Sequence, residues 1–125
     1  MKQVLLVGCG GALGSMARYL LGGMILHRFA NLKFPAGTFT VNIIGCLLIG
    51  IFAGLAEKRG LLSPDARVFL ITGICGGFTT FSAFAHENVF LLRRAESAIS
   101  LCYILASITL GLIAVWVGMK IIPSP

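Results

Sequence analysis

Residues 76–84 read GGFTTFSAF, inside an uncharged run, 68–85, that is apolar enough to cross a membrane. Their types and spacing suit ion coordination rather than bond-making chemistry. Gly73, Gly76 and Gly77 weaken a helix just ahead of three hydroxyls, Thr79, Thr80 and Ser82. Irregular backbone at membrane depth persists only when it is buried in protein or lines a wet cavity. A break there frees carbonyls for a small cation. It also turns the N–H groups of the following helix fragment, its positive end, toward an anion. Phe81 and Phe84 are three apart and share a helix face. A phenyl ring is positive at its edge, so edges turned into a path can meet an anion. Phenylalanines in membrane helices ordinarily just pack. Here they keep company with glycines, hydroxyls and an asparagine in the preceding segment, which favours a site.

That asparagine is Asn42, one turn after Thr38 on the same face, with Thr40 on another. Its amide nitrogen carries two donors. A lone asparagine ordinarily glues helices together, and the polar stretch in the third segment raises the case for an ion path. The acidic residues Glu57, Asp65, Glu87 and Glu96 fall at the ends of uncharged runs or in loops. A proton-coupled exporter of cationic compounds wants a buried carboxylate. Their placing argues against a small multidrug-type exporter and for an anion path. The reading from another class is a non-transporting membrane assembly subunit, in which Asn42 and the hydroxyls only bind helices together.

Helices must hold these groups. The 125 residues are 58% hydrophobic and 11% charged, whereas a soluble domain carries about 25% charged residues. Uncharged runs at about 35–56, 68–85 and 97–119 are long enough to span, the second only just. A further run at about 4–25 is broken only by Arg18. The expectation is a single domain over residues 1–125. It is an all-α membrane protein of four transmembrane helices, with a break in the third and a frayed tail, IIPSP.

Several other signals lead nowhere. VLLVGCGGALG looks like the start of a dinucleotide-binding loop, but Leu13 stands at the third glycine position and no acidic residue precedes Glu57. Leu6-Val7-Gly8-Cys9 fits a lipoprotein cleavage box, yet the stretch ahead of it makes a stunted signal peptide. Uncleaved insertion into a bacterial-type inner membrane is expected. The ten basic residues are scattered through every loop and end, as membrane anchoring requires, so nucleic acid is not an expected partner. Cys9, Cys46, Cys75 and Cys102 fall one to a span without ligand spacing and read as small apolar filler.

Three motifs then combine: G-x-x-G-S-x-x-R-Y from Gly11, G-T-F-T-V-N-x-x-G from Gly37, and GGxTTFSxF from Gly76. In order, spacing and total length the chain resembles the Fluc/CrcB family of fluoride channels. The resemblance implies an antiparallel, dual-topology homodimer that exports fluoride passively through two pores lined by both subunits. It implies Phe81 and Phe84 as the aromatic residues whose edges face fluoride, Asn42 as a donor and Ser82 as a lining hydroxyl. Thr38 and Thr80 are further candidates for the path. The resemblance also implies that the carbonyls of Gly76 and Thr79 hold a structural sodium ion on the dimer axis. It places Arg18 at a wet vestibule, and Tyr103 and Ser107 on a polar track in the fourth helix. Ala83 departs from the family pattern, where many members carry Thr, and so lacks one hydroxyl.

Charge bears on the orientation independently. The N-terminus, second loop and C-terminus carry Lys2, Lys58, Arg59, Arg67 and Lys120. Loops one and three carry Arg28, Lys33, Arg93 and Arg94, with Arg18 inside the first span toward that side. The positive-inside rule finds almost no bias. Such a chain either inserts both ways and pairs as an antiparallel dimer, an inverted repeat made from one gene, or takes one orientation from a weak bias or an insertase. We expect C-terminal tags on both sides of the membrane when accessibility to an impermeant reagent is measured. Two or three lysines added to one face should fix the orientation. A parent population wholly on one side would exclude dual insertion.

Overall fold

Four helical spans joined by short loops make up the computed structural model, which describes residues 1–124; Pro125, the end of the expected frayed tail, lies outside them. Helix α1 covers Lys2–Arg28 and α2 covers Ala36–Arg59. The third span, Pro64–Arg93, is composite. It begins with α3, Pro64–Arg67, continues as a π-helical segment, Val68–Cys75, and then as α4, Gly76–Phe78. After Thr79 and Thr80 it resumes as α5, Phe81–Arg93. Helix α6 covers Ser97–Ile121. All four spans are long and apolar enough to cross a bilayer, and the chain is a multi-pass membrane protein.

Local chemistry sets the ends. Helix α2 stops at Gly60, whose φ of 59° is left-handed, and the Leu61 amide turns back to the Leu55 carbonyl at 3.2 Å. Ser63 then caps α3 by accepting from the Ala66 amide at 3.2 Å, with Pro64 at the first helical position and Asp65 in the first turn. The Lys58 ammonium donates to the Met119 and Ile122 carbonyls at 2.8 and 3.1 Å, closing the end of α6. Exposed ion pairs, Lys2–Asp65 and Lys33–Glu96, tie neighbouring segments together.

Helix α2 packs most extensively on α6, and α1 on the π-helical segment and α4. Lipid supplies no hydrophobic drive between helices, so close backbone approach does the holding. A Cβ at Gly14 would run into the Ile74 carbonyl, and one at Gly77 into the Gly11 carbonyl. The outer faces present apolar side chains such as Leu5, Leu20, Leu105 and Leu112, as hydrocarbon requires.

The third span departs from the helix at a different place from the one its glycines suggest. Gly76 is right-handed helical, with φ −62° and ψ −39°. A Cβ there would meet nothing nearer than the Ile71 carbonyl oxygen at 3.9 Å. The residues that leave the helix are Thr79, at φ −82° and ψ 158°, and Thr80, at φ −151° and ψ 116°. Both are β-branched and at home in extended backbone. Gly77 serves contact with α1 instead of backbone freedom. Gly77→Val should therefore cost on the order of 1–3 kcal/mol or more through overpacking, whereas Gly76→Ala leaves the protomer fold intact. Thermal unfolding of both variants in detergent, followed by circular dichroism, checks this.

Candidate functional site

In a continuous helix the Thr80 amide would bond to Gly76, the Phe81 amide to Gly77 and the Ala83 amide to Thr79. In this span the groups find other partners. The Thr79 amide and hydroxyl both donate to the Cys75 carbonyl at 2.9 Å. The Thr80 amide donates to Asn42 Oδ1 at 2.8 Å, and Asn42 Nδ2 donates back to the Thr80 carbonyl at 3.1 Å. The Ala83 amide donates to Thr80 Oγ1 at 3.3 Å, which caps α5. The Gly77 carbonyl accepts from Arg18 Nε at 3.2 Å and from Ser15 Oγ at 3.4 Å. The carbonyls of Gly76 and Thr79 have lost their helical donors to Asn42 Oδ1 and Thr80 Oγ1.

Beyond the cap, α5 carries the aromatic pair. The Phe81 and Phe84 ring centroids lie 5.6 Å apart. Phe84 meets Tyr103 edge to face at 5.0 Å, and Tyr103 meets Phe34 at 5.2 Å and Phe39 at 6.3 Å. Phe81 is 79% exposed on the protomer, while Tyr103 is fully buried. The Tyr103 hydroxyl donates to one oxygen of Glu87 at 2.8 Å, and the Thr38 hydroxyl donates to the other. Thr38 and Asn42, one turn apart on α2, thus meet Glu87 and Thr80 on the third span. Ser82 lies with its hydroxyl 3.3 Å from that of Thr80. Ser107 is half-buried one turn beyond Tyr103 and takes part in none of these bonds.

A cavity of about 700 Å³ opens beside these groups, lined by Arg18, Thr38, Thr80 and Glu87 and by the cations Lys33 and Arg94. Arg18 therefore does two things. Its Nε holds the Gly77 carbonyl, and its side chain lines a cavity that also holds Arg94, Glu87 and the Lys33–Glu96 pair. Among the described residues no group of three or more His, Cys, Asp or Glu side chains is placed to hold a metal. The oxygen donors that are present, carbonyls and hydroxyls, suit a hard cation.

Two groups were misread or missed in the sequence. Glu87 was expected at a helix end or in a loop, because the uncharged run stops at Ala85. The helix continues to Arg93, so Glu87 lies inside the third span with both oxygens bonded. Asn88, next to it, is buried; it accepts from Ser100 Oγ at 2.8 Å and donates to the Phe84 carbonyl at 2.9 Å. The available signal was the helical spacing of Phe81, Phe84, Glu87 and Asn88, which carries the face of the two phenylalanines past Ala85.

Four apolar spans with polar groups drawn together between them define a multi-pass helical membrane protein with an internal polar site. Over residues 5–119 the chain matches the family described as CrcB-like protein, Camphor Resistance (CrcB), and it belongs to that family. It is 53% identical over 122 residues to the fluoride-specific ion channel FluC of Methylobacillus flagellatus, covering 98% of this chain and 95% of that one. It is 47% identical over 121 residues to the FluC of Flavobacterium psychrophilum, covering 97% of each. The FluC of Rhizobium meliloti is likewise 47% identical over 121 residues, covering 97% of this chain and 96% of that one.

The Glu87 cluster ties three helices together. Tyr103→Phe leaves one carboxylate oxygen without its donor and should lower stability by ~1–3 kcal/mol. Thr38→Val should act similarly. The double variant should deviate from the sum, because both bonds end on one carboxylate. Denaturation of the three variants in detergent measures the coupling.

Proposed function

We propose that this chain forms a fluoride-specific ion channel that lets fluoride leave the cytoplasm of a bacterium passively, lowering its toxic concentration there. The observation that carries this reading is near-full-length similarity to relatives named fluoride-specific ion channels. The functional unit is an antiparallel, dual-topology homodimer in the inner membrane. The exposed Phe81, with its hydroxyl neighbour Ser82, supports a second copy that completes the lining.

Fluoride is small and strongly hydrated, so a path must replace its water with several weak donors. Phe81 and Phe84 offer ring edges, and Ser82 and Thr80 offer hydroxyls. Asn42 spends one amide hydrogen on the Thr80 carbonyl, and its second is left for the ion. Tyr103 and Ser107 continue a polar line along α6, and Thr38 sits beside it. Moderate binding at several sites allows an ion to leave as well as enter. Arg18 and Arg94 raise the local anion concentration at the mouth, while Lys33 is neutralised by Glu96. Ala83 contributes no hydroxyl to this lining. The membrane potential supplies about 2.3 kcal/mol per charge for each 100 mV, enough to expel an anion without fuel.

The fit of a structural sodium ion rests on the carbonyls of Gly76 and Thr79, which have lost their helical donors. Bound there at the centre of the dimer, sodium would supply a fixed positive charge that holds the two interrupted spans together.

One feature suits the rival reading of a proton-coupled exporter, namely the carboxylate of Glu87 within a span. Both its oxygens already accept from Tyr103 and Thr38, which leaves it a poor relay. Purified protein in liposomes separates the two. A channel releases fluoride under an imposed voltage with no proton gradient, and an exporter does not. Phe81→Ile and Phe84→Ile keep apolar bulk but remove the positive ring edge. Each should cut fluoride release at least tenfold, about 1.4 kcal/mol on the barrier, while the protein stays a folded dimer. Parent-like release from both would make the phenylalanines mere packing.

A further inference from the structure

We propose that Asn42 and Arg18 are positioning residues that clamp the third span open, so that the carbonyls of Gly76 and Thr79 stay available to a cation. The proposal rests on the reading of those two carbonyls as a sodium site. The interruption is not held open by its glycines, since Gly76 is helical and Thr79 and Thr80 are permitted in helices as well as strands. Something must outcompete the helical bonds that would otherwise re-form within the span.

Asn42 does so at Thr80. It offers an acceptor to the amide at 2.8 Å and a donor to the carbonyl at 3.1 Å, the double pairing that a neighbouring strand would provide. The amide it captures is the one that would otherwise return to the Gly76 carbonyl. Removing Asn42 therefore does more than delete a contact, because it lets the helix heal across Gly76 and consume a cation ligand. Arg18 does the corresponding work at Gly77. Its Nε, with Ser15 Oγ, occupies the carbonyl that the Phe81 amide would seek. The two residues come from different helices, α1 and α2, and hold the two sides of the same interruption.

Two substitutions at position 18 separate the bond from the charge. In Arg18→Gln the side-chain amide nitrogen stands at the place of Nε along the chain, and the charge is gone. In Arg18→Lys a methylene stands there, and the charge remains. Fluoride release from liposomes, titrated with sodium against N-methylglucamine, should be parent-like in its sodium dependence for Arg18→Gln. Arg18→Lys should need about tenfold more sodium, the factor for one buried hydrogen bond of ~1.4 kcal/mol. The opposite order, or parent-like behaviour of both, overturns the clamp at Gly77.

Asn42→Leu provides the second arm, read by solid-state NMR of the Gly76 carbonyl carbon in sodium-free bilayers. Its signal should move toward the position of a hydrogen-bonded helical carbonyl and stop responding to added sodium. An unchanged Gly76 signal overturns the clamp at Thr80. If both Arg18 variants lose activity, the Gly77 carbonyl signal of Arg18→Lys decides the clamp there, and an unchanged signal overturns it. If the parent's Gly76 and Thr79 signals ignore sodium, the sodium reading fails by itself, and the comparison of parent with Asn42→Leu still tests the clamp.

Discussion

Every polar backbone group in a hydrocarbon layer must find a partner inside the protein. The rest of this structure depends on how that rule is met at two residues, Thr79 and Thr80. Extended backbone at that depth would be costly on its own, at roughly 1–3 kcal/mol for each unmet group. Here the amide and carbonyl of Thr80 are taken by one side-chain amide, that of Asn42, and the Gly77 carbonyl by Arg18 and Ser15. Those contacts require α1 and α2 to lie close against the third span. The glycines at positions 10, 14, 73 and 77 permit that approach between α1 and the third span. Packing by small residues and polar satisfaction of the interruption are thus one arrangement.

The same helix α2 serves a second polar cluster one turn away. Thr38 shares the Glu87 carboxylate with Tyr103, which joins α2, α5 and α6. A carboxylate inside a span is tolerated because both oxygens are bonded and the side chain borders a cavity. Asn88 and Ser100 add a buried bond between α5 and α6, and Asn88 also reaches the Phe84 carbonyl. The turn of α5 that presents Phe84 is therefore held on two sides, by its bond to Asn88 and by the ring of Tyr103. Phe81, one turn nearer the interruption, stands free on the protomer surface. The difference between these two rings, one held and one uncovered, is what a second copy of the chain would complete.

The chemistry of the site is distributed. Arg18 and Arg94 line the cavity, while in the proposed channel ring edges, hydroxyls and one amide would line the path. A cation fixed in the narrowest part would trap a small anion, whereas weak donors in series let it pass. Glu87 lines the same cavity, with its oxygens turned to Thr38 and Tyr103.

Much of this was legible in the amino-acid order. Hydrocarbon selects long uncharged runs, so the four spans show directly in the sequence, as does membership of the family through its three motifs. The pairing of Thr38 with Asn42 on one face follows from their spacing of four. The third span was harder to read, for two reasons. Glycine serves both to loosen backbone and to admit a neighbouring helix, and sequence does not say which; here Gly77 admits α1, and the helix opens two residues later. A charge also reads as the end of a span, so Glu87 was assigned to the boundary at Ala85. Only its partners on α2 and α6 make it acceptable six residues before the helix ends at Arg93. Arg18, likewise, was legible as a charge inside the first span but not as the donor to Gly77, fifty-nine positions away. Sequence determines which residues lipid will accept and which lie on a common helix face. The tertiary structure decides which neighbour satisfies each polar group, because hydrogen bonds form over about 3 Å and that distance is set only when helices pack.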